Sequence, residues 1–188
     1  MKKPPILWKV HHQETICETR VFSVLKKQME MPYNKKMADF FTIEAIDWVN
    51  VIAVTADDKV VLVEQYRHGI HELSLEIPGG IISKEADSPE QAAQMELREE
   101  TGFTSQSWSY LGAVSTNPAL FTNRCHLFLA ENCVLSDSQD LDEHEQIKVL
   151  LKPLDDFLED VAQGRIHHAL VVAAVSKYLL RSRLFDSQ

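Results

Sequence analysis

Three glutamates in the segment MELREETGF have the types and spacing to do chemistry: Glu96, Glu99 and Glu100. On a helix turning about 100° per residue, Glu96 and Glu100 project together and Glu99 lies to one side of Glu96, all within an arc of roughly 100°. Like charges four residues apart repel by roughly 0.2–0.5 kcal/mol, and on the same wheel Arg98 projects away from the arc. A divalent cation would relieve that repulsion. Mg²⁺ or Mn²⁺ takes oxygen ligands in octahedral geometry, from a few carboxylates, waters and substrate phosphates. Taken alone, such a trio is more often a solvated acidic face. The double glycine upstream, Pro78-Gly79-Gly80, shifts the reading toward a built site.

Local signals place the trio on a helix. Ser88 is a cap, Pro89 suits the first helical position and Gln91 stands where a capping-box partner reaches back. Gly102 supplies the stop. Upstream, Val49–Thr55 and Lys59–Tyr66 read as strands around an Asp57-Asp58 hairpin turn, and Glu72–Ile77 as a short strand entering the glycine loop. Further upstream, Ile16–Leu25 and Ala38–Trp48 read as strands joined through Met31-Pro32-Tyr33-Asn34, an antiparallel N-terminal piece. Downstream, Trp108–Val114, Arg124–Ala130 and Gln146–Leu151 read as strands. A helix opens at Pro153-Leu154-Asp155 and ends near Gly164, and Ala169–Leu184 is a second, strongly apolar helix. The fold class is α/β, with a mixed sheet and few helices.

The chain has 188 residues, 45% of them hydrophobic, which suits one mixed domain with a short additional lobe. Its formal charge of −9 argues against nonspecific nucleic-acid binding, which needs Lys and Arg to neutralise phosphates. An acidic protein that handles pyrophosphate should use bridging cations and a few placed arginines instead. Cys17, Cys125 and Cys133 form no CxxC pair and read as reduced structural thiols, not zinc ligands. Neither a signal-peptide pattern nor a membrane-length apolar run is present, so a cytoplasmic location is expected.

The stretch PGGIISKEADSPEQAAQMELREETGF resembles a Nudix box, matching at Gly80, Glu96, Leu97, Glu99, Glu100, Gly102 and Phe103. It departs in three places: the spacing from glycine to acid is one residue longer, the acid is Asp87, and Met95 replaces the arginine before the first helix glutamate. Beyond the box, VVLVEQYRHG, LEIPGG, Pro118 in STNPALFTNR, the acidic DLDEHEQIKV and GRIHHALVVAAVSKYLL resemble the ADP-ribose pyrophosphatase branch of that family. Ala119 follows Pro118 where the branch usually has glycine.

The resemblance implies an α/β/α Nudix sandwich over residues 49–188. It also implies that residues 1–48 form a β segment that dimerises the protein, with strands exchanged between two copies. Phe40, Phe41 and Trp48 would form an exposed apolar edge there. Further implied is a Mg²⁺-dependent hydrolase of nucleoside diphosphate sugars, with ADP-ribose the first substrate to test and GDP-mannose the next, and with Mn²⁺ able to substitute. Glu96 and Glu100 would be the principal metal ligands. Glu99 would be a further ligand or bridging catalytic residue, and the Gly79 carbonyl would complete the site. The branch takes its general base from an acidic loop, which points to Glu145 first and Glu143 second.

Arg67, at the end of a buried strand, suits a bidentate phosphate clamp or, alternatively, an ordinary salt bridge. Glu76 suits a hydrogen bond to a ribose or a place in the lining of the metal site, or else reads as a strand-end carboxylate facing solvent, and Pro118 borders the substrate. Two other classes stay open: a non-catalytic nucleotide-binding regulator with an altered box, and a nucleoside triphosphate pyrophosphatase.

Overall fold

The computed structural model describes residues 4–185. The chain divides into two compact units: Met1–Ile46 with Ser115–Asn123, and Asp47–Val114 with Arg124–Gln188. The boundary therefore falls two residues before the expected one at Trp48, and the segment carrying Pro118 belongs with the N-terminal unit.

The N-terminal unit is an antiparallel sheet of β1 (Lys9–Glu18), β2 (Phe22–Glu30) and β3 (Met37–Ala45) in the order β1-β2-β3. The expected single strand Ile16–Leu25 is in fact the end of one strand, a turn and the start of the next. Thr19 is the cause. Its hydroxyl accepts from the N–H groups of Val21 and Phe22 at 3.2 and 3.0 Å and donates to the Phe22 carbonyl at 2.7 Å. A threonine that binds its own backbone breaks a β-branched run that pattern alone reads as continuous. The Met31–Asn34 turn lies where expected and closes with Lys35 at φ 58°. Ala38–Trp48 is likewise not one strand: β3 stops at Ala45, and Trp48 opens β4 and packs on the core of the second unit. Phe40 and Phe41 stay exposed, with Trp8 against Phe40 edge-to-face at 5.1 Å.

In the second unit β4 (Trp48–Thr55), β5 (Lys59–Arg67), β6 (Glu72–Glu76), β7 (Phe103–Thr104), β8 (Ser107–Ser115), β9 (Arg124–Leu135) and β10 (Ile147–Pro153) build one sheet along β10-β5-β4-β9-β7. β6 pairs with β5, and β8 with β9. β4 and β9 run parallel while β5 is antiparallel to β4, β6 and β10, so the sheet is mixed.

Strand alternation sends side chains to two faces. Val49, Val51 and Ala53 join Ala92, Ala93 and Leu97 of α1 (Pro89–Thr101). Ile52 and Val54 join Phe157 of α2 (Leu154–Ala162) and Leu170, Val171 and Ala174 of α3 (Ala169–Phe185). Helices thus cover both faces, giving the expected α/β/α sandwich. Cys125 and Cys133 are buried in it, and burial pushes their thiols up to about 12 and about 11, which leaves them unreactive. Among the described residues no helix is long and apolar enough to cross a membrane.

Candidate functional site

The Pro78–Gly80 segment is held against β4 by two backbone hydrogen bonds, from Val51 N–H to the Pro78 carbonyl and from Val49 N–H to the Gly80 carbonyl, both 2.9 Å. Both glycines are required there by close approach. A Cβ on Gly79 would lie 2.2 Å from the Val49 carbonyl oxygen, and a Cβ on Gly80 would lie 2.3 Å from the Glu96 carboxylate. The two positions predict different failures. Gly79→Ala collides with backbone that cannot yield and is expected to cost at least ~1–3 kcal/mol of stability. Gly80→Ala meets the movable end of a side chain and should leave the melting temperature nearly unchanged while displacing Glu96 and depressing turnover. Thermal melts beside initial rates check both.

α1 delivers the carboxylates to this loop. Ser88 caps it by accepting from Gln91 N–H at 3.1 Å, and the Gln91 side chain reaches back to Asp87 N–H at 2.6 Å. Gly102 ends it at φ 74°, with its N–H on the Arg98 carbonyl at 2.7 Å. Within this frame Glu100 accepts from Gly79 N–H at 2.9 Å, and Glu96 lies against Gly80.

Burial and mutual repulsion load both groups. Burial, with Glu99 and Glu145 adding to it, pushes the Glu96 carboxyl up to about 7. Burial, opposed in part by the Gly79 N–H and reinforced by Glu96, pushes Glu100 up to about 8. Glu99 is more exposed, and burial also raises it, countered by Arg98 3.7 Å away. Arg98 therefore does reach one member of the trio, contrary to the helical-wheel reading, because a long flexible side chain can bend to its neighbour. Among the described residues no cation forms an ion pair with Glu96 or Glu100.

A half-buried Glu96 and a buried Glu100, both raised by burial and set beside a backbone loop, fit a hard divalent cation. The trio expected from the sequence is not gathered into one ligand cluster: no group of three or more His, Cys, Asp or Glu side chains able to hold a metal ion occurs among the described residues. A hard divalent cation such as Mg²⁺ takes as few as one or two protein carboxylates, with waters in the other positions. Glu96 and Glu100 would hold it, with Glu99 beside them.

The acidic loop is attached to α1 by residues that pattern reading missed. The Gln139 amide donates to the Glu100 carbonyl at 2.7 Å and the Ile147 carbonyl at 3.1 Å, and Asp140 N–H donates to the Glu99 carbonyl at 2.9 Å. A polar residue just before an acidic run was the only available signal. Glu145 is exposed, accepts from Asp142 N–H at 3.2 Å, and is near enough to bias Glu96, Glu99 and Glu100 electrostatically. Glu143 is exposed on the same loop.

Arg67 and Glu76 form a two-pronged ion pair: Nε to Oε1 at 2.8 Å and Nη2 to Oε2 at 2.7 Å. The Glu76 side chain is 1% exposed and that of Arg67 is 40% exposed. Burial works against the Glu76 charge, but the guanidinium outweighs it and holds the carboxyl below the usual range. Of the two sequence readings of Arg67 the structure shows the salt bridge, on one edge of a guanidinium whose side chain stays partly exposed. Glu76 faces inward onto Arg67, not out to solvent. Pro118 is exposed in the N-terminal unit.

Comparison with known proteins agrees with this architecture. Residues 47–173 match the NUDIX domain model. The chain is 31% identical over 173 residues to an ADP-ribose pyrophosphatase of Bacillus subtilis (strain 168), covering 92% of each chain. It is also 31% identical over 182 residues to a methanol dehydrogenase activator of Bacillus methanolicus, covering 94% of this chain and 97% of that one. A crystal structure of an ADP compounds hydrolase superposes with a TM-score of 0.82 at 22% identity, over 99% of this chain and 98% of that chain. The sandwich, the glycine loop seated on α1 and a domain match over most of the length lead to one conclusion: this chain belongs to the Nudix family.

Proposed function

We propose that this Nudix-family hydrolase of pyrophosphate bonds acts on nucleoside diphosphate sugars, releasing a nucleoside monophosphate and a sugar phosphate. The observation that carries the reading is the convergence of Glu96 and Glu100 on Gly79-Gly80, two raised carboxylates suited to a divalent cation. The similarity to an ADP-ribose pyrophosphatase over 92% of the chain supports ADP-ribose as the first substrate to test, with GDP-mannose the next.

Mg²⁺, or Mn²⁺ in its place, would supply charge neutralisation of the pyrophosphate oxygens and a more acidic water when bound. Glu96 and Glu100 would hold it, with Glu99 and the Gly79 carbonyl as further oxygen donors. Arg67, braced by Glu76, offers its exposed N–H groups to a phosphate. Glu145 accepts the proton of the attacking water, with Glu143 next to it on the loop. Glu145→Gln is therefore expected to leave the Kd for substrate within about twofold while slowing hydrolysis by ~10²-fold, the lower range for a general base. An unchanged rate would assign the base elsewhere.

The N-terminal unit is proposed to dimerise the protein, with its strands up to Ile46 exchanged between two copies. Leu25 is the one buried hydrophobic side chain among its described residues, whereas Ile16, Val21, Phe40, Phe41 and Ile46 are exposed, more than a lone three-stranded sheet would leave in water. Sedimentation equilibrium checks this; a monomer at micromolar concentration would reject it. The protein is proposed to work in the cytoplasm.

Turnover on ADP-ribose, GDP-mannose, UDP-glucose, diadenosine polyphosphates and nucleoside triphosphates, with Mg²⁺, Mn²⁺ or chelator, tests the substrate reading. Metal-dependent preference for diphosphate sugars is the expected result, and preference for triphosphates would overturn it. Met95 in place of the box arginine, together with the similarity to a methanol dehydrogenase activator, favours a second reading as a nucleotide-dependent regulator. Tight ADP-ribose binding without turnover would select it.

A further inference from the structure

We propose that His168 is a positioning residue that fixes Arg67 through Glu76; the proposal rests on the reading of Arg67 as a phosphate contact. His168 immediately precedes α3, and its carbonyl accepts from Val172 N–H at 3.1 Å, so the backbone that carries the ring is tied to the first turn of that helix. The ring is half-buried, and its two nitrogens have different surroundings. Nδ1 is shut away from solvent without a hydrogen-bond partner. Nε2 lies 3.9 Å from Oε2 of Glu76.

These surroundings assign the tautomer. A neutral imidazole carries one N–H, and a buried N–H without an acceptor costs roughly 1–3 kcal/mol, whereas an N–H on the other nitrogen faces a carboxylate oxygen. Nδ1 therefore carries no proton, and the proton sits on Nε2, directed at the carboxylate.

Glu76 needs such a neighbour. Its side chain is 1% exposed and Arg67 satisfies one lone pair on each oxygen, at 2.8 and 2.7 Å. The imidazole N–H closes the side of Oε2 that Arg67 does not reach. At 3.9 Å it acts as an oriented dipole and not as a full hydrogen bond. Ser74 also hydrogen-bonds the carboxylate, so an apolar group in place of the imidazole removes one of its polar neighbours beyond Arg67, and the carboxylate recovers that solvation by turning toward water. That would open the fork holding the Nε edge of Arg67 and release the guanidinium from a single direction. The consequence is looser ground-state capture of the phosphates with the hydrolytic groups on α1 untouched.

The test is a set of variants assayed for ADP-ribose kinetics with Mg²⁺, and for ADP-ribose Kd by calorimetry in chelator, where the metal-dependent reaction is off. His168→Leu is expected to raise KM and Kd about tenfold with kcat within about twofold, in the range of couplings inside one charge network. His168→Gln, whose amide N–H can reach the place of Nε2, should restore both constants to within about threefold, a recovery that lost packing would not allow. In an Arg67→Ala background His168→Leu should add nothing further.

Unchanged KM and Kd in His168→Leu would overturn the proposal, as would full additivity with Arg67→Ala, since either outcome leaves the histidine a purely structural part of the α3 start. If Arg67→Ala itself leaves KM and Kd unchanged, the phosphate reading of Arg67 fails and the proposal falls with it. If only the histidine variants are silent, that reading stands and the positioning role alone is lost.

Discussion

Glu100→Gln is expected to lower turnover of a diphosphate sugar by at least ~10³-fold, about 4 kcal/mol of transition-state stabilisation. It should also make the metal-free protein more stable than the parent at pH 8. The two effects come from one atom change. The amide keeps the shape of the side chain, and its oxygen can still accept from Gly79 N–H, at 2.9 Å in the parent. What disappears is a negative charge in a place where burial has pushed the carboxyl up to about 8. A charge held where folding disfavours it, and needed for turnover, indicates a ligand kept for its chemistry. Initial rates and thermal melts on the same preparation check both halves. Near-parent turnover would remove Glu100 from the metal site. Lost turnover with a lowered melting temperature would show that the carboxylate serves the fold instead.

The second large effect is a coupling of pH, metal and stability. Glu96 and Glu100 have ordinary values of 4.5 and folded values of about 7 and about 8. Between those limits the folded protein binds more protons than the unfolded chain, so stability falls as pH rises. It is highest below 4.5 as far as these groups are concerned, and the penalty is complete above about 8.

His168 acts in the opposite sense. Burial depresses its pKa below 6.5, so its contribution rises with pH, but only up to that value. Glu76 is depressed by Arg67, and its stabilisation is lost only in acid, as pH falls below 4.5 and through its folded value. The interval from pH 6.5 to 8.5 therefore isolates the raised carboxylates of α1, Glu96 and Glu100 foremost and Glu99 in the same sense. Across it the metal-free Tm is expected to fall by ~5 °C or more, at 2–4 °C per kcal/mol for a chain of this size. Excess Mg²⁺ should reverse the fall, because a ligand at about 100 times its Kd contributes ~2.7 kcal/mol to the folded state. Glu100→Gln should flatten both the pH slope and the Mg²⁺ response. A Tm that is level across this interval and indifferent to Mg²⁺ would refute the pairing of raised carboxylates with a cation.

The amino-acid sequence by itself determined whatever depends on neighbours along the chain. Ser88, Pro89 and Gly102 delimit α1 because capping and termination are settled within a turn of helix. The carboxylate face is legible because helical periodicity fixes directions from spacing alone. The Asp57-Asp58 turn and the two C-terminal helices are legible for the same reason.

Only the tertiary structure decided what depends on residues that meet from afar. Glu76 reads from its strand as a carboxylate of unknown facing; its near-total burial against Arg67 comes from the pairing of β6 with β5. Gln139 is unremarkable in sequence, yet it ties the acidic loop to the Glu100 carbonyl 39 positions back. The Thr19 turn was hidden because β-branched residues on both sides of it outweigh one hydroxyl in any pattern count. Trp48 could not be assigned to a unit until its packing partners were known. The raised carboxylates of α1 belong to the same class. Spacing put their charges on one side of a helix, but the dielectric they experience was set by the β4 edge and the glycine loop folded against them.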